Sequence, residues 1–215
     1  MKIFLDTGDA EAIRKAYDTG LIDGVTTNPS HIAKTQRKFK DVIEEICSIV
    51  PGPVSVEAVS DTTKKLIEEA VRLASIAPNV VIKIPMTVEG LRAVPVLEEQ
   101  KNVKTNVTMI FSSTQSFLAM KAGASFVSIV LSRLDAVANE SDILVEDAVI
   151  IRNNYGFDSE IIAGSIKTQN HILTCLRAGI DIATMNPDLF FQMFKHPLTT
   201  EGLDQFAKDW QKVPK

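Results

Sequence analysis

Lys83 lies inside Val80-Val81-Ile82-Lys83-Ile84-Pro85, a β-branched run with one amine at its centre. Removing a lysine from water disfavours its charged form, and a neutral amine is a nucleophile toward carbonyls. Schiff-base chemistry is therefore the first possibility the chain raises. The competing reading is structural: a lysine is almost never fully buried alone, so its head would reach solvent or meet a carboxylate. The strand by itself leaves both open. Other polar residues occupy comparable places. Asp6 ends the first apolar run, Thr26, Thr27 and Asn28 end the second, and Glu57 lies in the third. Asn106 and Thr108 fall in the fifth run and Ser128 in the sixth, while Arg133 follows the sixth and Ser165 and Lys167 follow the seventh. An amine, two carboxylates, an amide and hydroxyls in one layer supply a nucleophile, proton-transfer groups and donors for a polyhydroxylated substrate.

Each of these residues also has a plainer role. Asp6 before Thr7-Gly8-Asp9 would form a turn. Asn28-Pro29 would cap a helix with proline at its first position, and it can do this while serving a site. Glu57 would be a partner for Lys83, Arg133 would pair with Asp135, and Lys167 would be an ordinary surface lysine. His31, His171 and His196 show no ligand spacing and are assigned no catalytic or metal role.

The elements that must position these groups follow from alternation. Strands are expected at Ile3–Asp6, Gly24–Thr27, Val54–Ala58, Val80–Ile84, Lys104–Ile110, Phe126–Val130, Glu160–Ala163 and Ile180–Thr184. Helical patterns follow each one: Asp9–Tyr17, Pro29–Val50 (broken near Arg37–Lys40), Asp61–Ser75, Val88–Gln100, Ser113–Ala122, Ser141–Tyr155, Thr168–Ala178 and Pro187–Phe194. Strands alternating with helices of this length argue for βαβ units and a parallel sheet. Eight right-handed units fit closure into an α/β barrel, a (β/α)₈ TIM barrel, whose active site lies where strands end. An open doubly wound sheet is the other possibility, but Asp6-Thr7-Gly8-Asp9 is no dinucleotide fingerprint. A further helix, Thr200–Trp210, is expected beyond the last unit, capped by Thr199-Thr200-Glu201, with Leu203, Phe206 and Trp210 on one face. It would cover the barrel or dock on a neighbouring subunit.

The 215 residues suit one such barrel spanning residues 1–215, and no linker or low-complexity stretch divides them. A net charge of −4 gives no basic footprint for nucleic acid, so an anionic substrate would need local basic residues. Cys47 and Cys175 have neither metal nor redox spacing and read as reduced thiols of a cytoplasmic protein. The N-terminus enters a strand directly, without a signal peptide, and no apolar stretch approaches the length of a membrane span. Two glycosylation sequons, at Asn106 and Asn139, carry no meaning without secretion.

Several segments together resemble the small transaldolase family, which includes the fructose-6-phosphate aldolases. They are Phe4-Leu5-Asp6-Thr7, Gly24-Val25-Thr26-Thr27-Asn28-Pro29-Ser30, Val81-Ile82-Lys83-Ile84-Pro85-Met86-Thr87 and Thr105-Asn106-Val107-Thr108. Ser132-Arg133-Leu134-Asp135, Asn154-Tyr155-Gly156 and Lys195-His196-Pro197-Leu198-Thr199 extend the likeness over the whole chain. The resemblance implies a (β/α)₈ barrel, lysine chemistry without metal or other cofactor, sugar phosphates as substrates, a place in the pentose phosphate pathway, and a homo-oligomer, often a decamer of two pentameric rings joined through C-terminal helices. It makes Lys83 the Schiff-base former and Asp6 the base for the donor hydroxyl. Glu57 and Thr108 would move protons through a water, and Asn28 with Thr26 would orient the dihydroxyacetone unit. Arg133, Ser165 and Lys167 would hold the phosphate, and Asn106 and Ser128 would serve substrate binding.

The chain departs from the family pattern after the sixth strand, where a proline and then an aromatic residue are usual. Here the segment reads Ser128-Ile129-Val130-Leu131-Ser132-Arg133, with Val130 at the aromatic position. A tyrosine there, as in the aldolase branch, would help water protonate the carbanion, and a phenylalanine, as in the transaldolases, would form an aromatic wall; valine supplies neither. Glu57 also differs from the glutamine of the aldolase branch, and Met185-Asn186-Pro187 lacks the usual proline after methionine. The expected activity is that of a transaldolase, a transferase moving a dihydroxyacetone unit from sedoheptulose 7-phosphate or fructose 6-phosphate to an aldose phosphate. Reversible cleavage of fructose 6-phosphate, or sugar-phosphate binding without catalysis, would be the alternatives.

Overall fold

Strand runs too apolar to show a solvent face need cover on both sides, and a helix after each strand supplies it. The computed structural model describes residues 1–214. In chain order the strands are β1 (Lys2–Asp6), β2 (Gly24–Thr26), β3 (Val54–Glu57), β4 (Val80–Pro85), β5 (Thr105–Ile110), β6 (Phe126–Val130), β7 (Glu160–Ile166) and β8 (Ile182–Met185). All eight pair in parallel, each with its sequence neighbour, and β8 closes onto β1. Helices α1 (Ala10–Tyr17), α2 (Pro29–Lys34), α3 (Phe39–Ile49), α4 (Thr63–Ala74), α5 (Val88–Pro95) and α6 (Ser113–Lys121) cover the first five strands. Helices α7 (Leu131–Asp135), α8 (Ser141–Tyr155), α9 (Gln169–Ala178) and α10 (Pro187–Gln192) complete the ring, and α11 (Pro197–Trp210) follows it. The fold is the expected (β/α)₈ TIM barrel with an additional C-terminal helix.

The two-residue repeat of a strand divides the core in two. Outward-facing residues pack against the helices, where Ile13, Ile43, Ile46 and Leu66 are buried. Inward-facing Phe4, Val81, Phe126, Ile162 and Ile182 form a separate cluster inside the barrel. Two residues further along four of these five strands, the same face turns polar: Asp6 above Phe4, Lys83 above Val81, Ser128 above Phe126 and Thr184 above Ile182. An apolar lower plug therefore carries a polar upper layer. Gly24 makes room for the plug, since a Cβ there would lie 2.6 Å from the Phe4 ring.

Several boundaries differ from the sequence reading, each for a local reason. The helix expected over Val88–Gln100 stays α-helical only to Pro95, which has no amide hydrogen and crowds the preceding turn; Val96–Gln100 widens into a π-helical turn. Strand β8 begins at Ile182 rather than Ile180. Gly179 at φ 79 closes α9, and the amides of Gly179 and Ile180 both donate to the Cys175 carbonyl. Helix α11 begins at Pro197 instead of Thr200, because His196 accepts from the Leu198 amide and proline fills the first turn. No residue of α11 is buried, so it does not cover the barrel, and Leu203, Phe206 and Trp210 stay exposed. Among the described residues no helix is long and apolar enough to cross a membrane.

Phe4 is fully buried in the lower plug. Phe4→Ala is expected to destabilise the protein by ~3–5 kcal/mol, measured as a lower urea midpoint at unchanged slope. A loss below about 1 kcal/mol would mean that the barrel interior collapses around the missing ring.

Candidate active site

Register decides which side chains meet. Glu57 on β3 pairs with Lys83 on β4, and Lys83 pairs with Asn106 on β5, so three polar residues stand at one level on adjacent strands. The Lys83 ammonium donates to the Thr27 carbonyl at 3.1 Å and lies 3.6 Å from the Glu57 carboxylate. Its side chain is 11% exposed and that of Glu57 is 22% exposed. Both readings of Lys83 therefore meet in one geometry: the charge is partnered, and the amine still reaches the cavity above the sheet.

The rest of the layer is held by hydrogen bonds across the interior. Thr26 donates to Asp6 Oδ1 at 2.9 Å and lies 2.7 Å from the Thr184 hydroxyl. Asn106 donates to Ser55 Oγ at 3.1 Å and accepts from Ser128 Oγ at 2.7 Å. Asn106 is fully buried and does not line the cavity, so it supports Ser128 from beneath instead of offering a free amide. Asn28 caps α2 by accepting from the His31 amide at 2.9 Å, with Pro29 opening the helix.

Two strands reach the cavity through bulges. The register of β5 on β6 slips by one residue between Val107 and Ile110, where Met109 has φ 64. The register of β7 on β8 slips likewise between Ala163 and Ile166, where Ser165 has φ 57. Ser165, expected after β7, is thus within it, and its hydroxyl lies 2.6 Å from that of Ser132 on α7. Non-glycine residues in the left-handed region are strained, and bulges of this kind re-aim side chains at functional sites.

Arg133 belongs to α7, a helix too short for periodicity to reveal. Its guanidinium lies 3.7 Å from the Met109 sulfur and, among the described residues, pairs with no carboxylate. Asp135 is taken by His171 at 2.9 Å, which removes the suggested Arg133–Asp135 pair. His171 Nδ1 in turn accepts from the Lys167 amide at 3.3 Å, so the loop after β7 is tied to α7.

These groups surround a cavity of about 520 Å³ lined by ten of the eleven expected site residues: Asp6, Thr26, Asn28, Glu57, Lys83, Thr108, Ser128, Arg133, Ser165 and Lys167. Only Asn106 is outside it. The volume falls within the range of small-molecule sites. Four cationic side chains, Lys34, Lys83, Arg133 and Lys167, face two carboxylates there, so the cavity is locally basic in a chain of net charge −4. Aliphatic Val130 forms part of the wall. Neither cysteine is a second nucleophile, since burial pushes the Cys47 thiol up to about 11 and the Cys175 thiol up to about 12.

The sequence reading missed His31, Lys34 and Thr184 in the lining. The signal for His31 was its position three residues after the cap Asn28, which puts both on one face of α2. Thr184 stands at the end of its strand, like the residues that were recognised.

Residues 3–215 match the family model described as transaldolase/fructose-6-phosphate aldolase. A protein named "Probable transaldolase" from Dictyoglomus turgidum is 48% identical over 215 residues, covering all of both chains. Another of that name from Aquifex aeolicus is 51% identical and covers 100% of this chain and 98% of its own. Among solved structures, inosine 5′-monophosphate dehydrogenase from Legionella pneumophila superposes with a TM-score of 0.61 at 12% identity, over 88% of this chain and 58% of that one, a likeness of fold alone. Similarity of this degree along the entire sequence makes the chain a member of the transaldolase/fructose-6-phosphate aldolase family.

Proposed function

We propose that this protein is a transaldolase that carries a dihydroxyacetone unit on Lys83 from a ketose phosphate, such as sedoheptulose 7-phosphate or fructose 6-phosphate, to an aldose phosphate. The observation that carries the reading is the buried Lys83 amine beside Glu57, opening into a basic cavity that also contains Asp6. In this reading the amine adds to the ketose carbonyl and water leaves, giving an iminium. Glu57 and Thr108 move the protons of these steps through a bound water. Asp6 then takes the proton of the hydroxyl next to the breaking bond, the carbon–carbon bond cleaves, and its electron pair passes into the iminium as an enamine. The aldose departs. A second aldose enters, the enamine attacks its aldehyde carbon as Asp6 returns the proton, and hydrolysis frees Lys83.

Arg133, Ser165 and Lys167 would bind the phosphate, for which a guanidinium offers a planar donor fork. Asn28, Thr26 and Ser128 would orient the hydroxyls. The reaction belongs to the sugar-phosphate interconversions of the pentose phosphate pathway, which takes place in the cytoplasm. Val130 supports transfer over free aldol cleavage, because an aliphatic wall supplies no hydroxyl to activate a water against the carbanion.

Borohydride reduction in the presence of fructose 6-phosphate is expected to trap a covalent adduct on Lys83, seen by mass spectrometry and absent in Lys83→Ala. An unmodified native protein would leave only sugar-phosphate binding. Asp6→Asn should still form the adduct while turnover falls ~10²–10⁴-fold, because it removes a general base and keeps the nucleophile. Erythrose 4-phosphate is expected to be required for donor consumption; dihydroxyacetone released at a comparable rate without it would make the enzyme an aldolase. The exposed Leu203, Phe206 and Trp210 face of α11 is proposed as a contact of a homo-oligomer, a decamer by family resemblance. Phe206→Glu with Trp210→Glu should then lower the mass measured by sedimentation, and an unchanged mass would remove α11 from the interface.

A further inference from the structure

His31 lines the cavity without a part in the chemistry just described. It stands one turn beyond Asn28 on α2, and its half-buried imidazole touches two groups that would meet the dihydroxyacetone unit. The Asn28 Nδ2 lies 3.2 Å from His31 Nδ1 and 3.4 Å from Nε2. The same Nδ1 is 3.6 Å from Asp6 Oδ1. Asn28 Oδ1 is already committed to the His31 amide, so its Nδ2 is the end left for other work. A neutral imidazole has one lone pair to offer this amide. An imidazolium has two N–H donors and none, so it turns the Asn28 amide away and pairs with the Asp6 carboxylate.

The charges facing His31 come from several elements. Asp6 on β1 favours the imidazolium; Lys34 on its own helix, Lys83 on β4 and Lys167 beyond β7 oppose it. Asp9, the residue before α1, and Glu11 of α1 line an adjoining groove of about 630 Å³ that shares Asp6, His31 and Lys34 with the cavity. The Asp9 carboxylate is engaged there as the cap of α1. Burial is the largest influence, and with the lysines it holds His31 below the ordinary imidazole value in spite of Asp6.

We propose that His31 is a positioning residue which, as a neutral imidazole, leaves Asp6 available as a base and accepts from the Asn28 amide, and which on protonation withdraws both from the substrate. The inference rests on the aldol reading above. The neutral form persists to lower pH than for a free histidine, and the imidazolium builds up as pH falls through the lowered value. Turnover therefore acquires an acid limb that belongs to His31, below the usual imidazole value of about 6.5.

The test measures transfer rate and borohydride trapping from about pH 5 to pH 8 for the native protein, His31→Gln and His31→Lys. Glutamine offers Asn28 an acceptor and cannot titrate. It should keep kcat within about threefold of native at the upper end and lose the acid limb. Lysine is a fixed cation beside Asp6. It should lower kcat at least about tenfold at the upper end, change KM less, and still permit the adduct on Lys83. A His31→Gln profile that superimposes on the native one overturns the proposal, as does a His31→Lys enzyme that turns over like native. Should His31→Lys not fold, the shape of the His31→Gln profile decides alone. A native protein that neither traps nor turns over would instead defeat the underlying aldol reading, and this inference with it.

Discussion

One ammonium group inside a parallel barrel sets the terms for its neighbours. Burying a charge without partners is costly, and breaking a buried pair strands the remaining ion. Lys83 avoids this through the Thr27 carbonyl just beyond β2 and the Glu57 carboxylate of β3, both on its β3 side. Pairing of Glu57 with Lys83 in the ladder places the two at one height. On the other side Asn106 occupies the same level, but it is bound to Ser55 and Ser128 and takes no share of the charge. The polar layer is thus three networks: one around the amine, one that braces the floor beside it, and one that joins Thr26 to Asp6 and Thr184.

The layer is feasible because of what lies below it. Phe4, Val81, Phe126, Ile162 and Ile182 fill the lower interior, so the polar groups above face the cavity and one another instead of a water-filled pore. The same strands serve both halves, with the chemistry changing over one two-residue step. A residue such as Gly24 matters to the site only indirectly, by admitting the Phe4 ring that supports Asp6 two residues later.

Much of this was legible in the sequence. Runs such as Val80–Pro85 and Phe126–Val130 declare buried strands, and polar residues at their ends declare a layer, because a side-chain repeat of two fixes which residues share a face. Where the sequence was opaque, the cause was a contact distant along the chain or a local exception to periodicity. Nothing in Thr108-Met109-Ile110 or Gly164-Ser165-Ile166 announces an extra residue, since a bulge is defined by the partner strand. Helix α7 has too few residues to show a period. The Asp135–His171 contact joins residues on two helices and removed a pairing that looked natural when only Arg133 and Asp135 were in view. His31 has no ligand spacing to single it out, although its nearness to Asn28 follows from helix geometry.

The bulges at Met109 and Ser165 also bear on how such a barrel can change. Each inserts one residue into one strand while the paired strand keeps its count, so side-chain parity inverts beyond that point. Below the bulge the strand obeys the closed sheet; above it the chain is released from that alternation. The boundary between the closed sheet and the rim above it is therefore written in the backbone, at two defined peptide units. Substitutions or length changes beyond them can alter the rim while leaving the order of the lower plug intact.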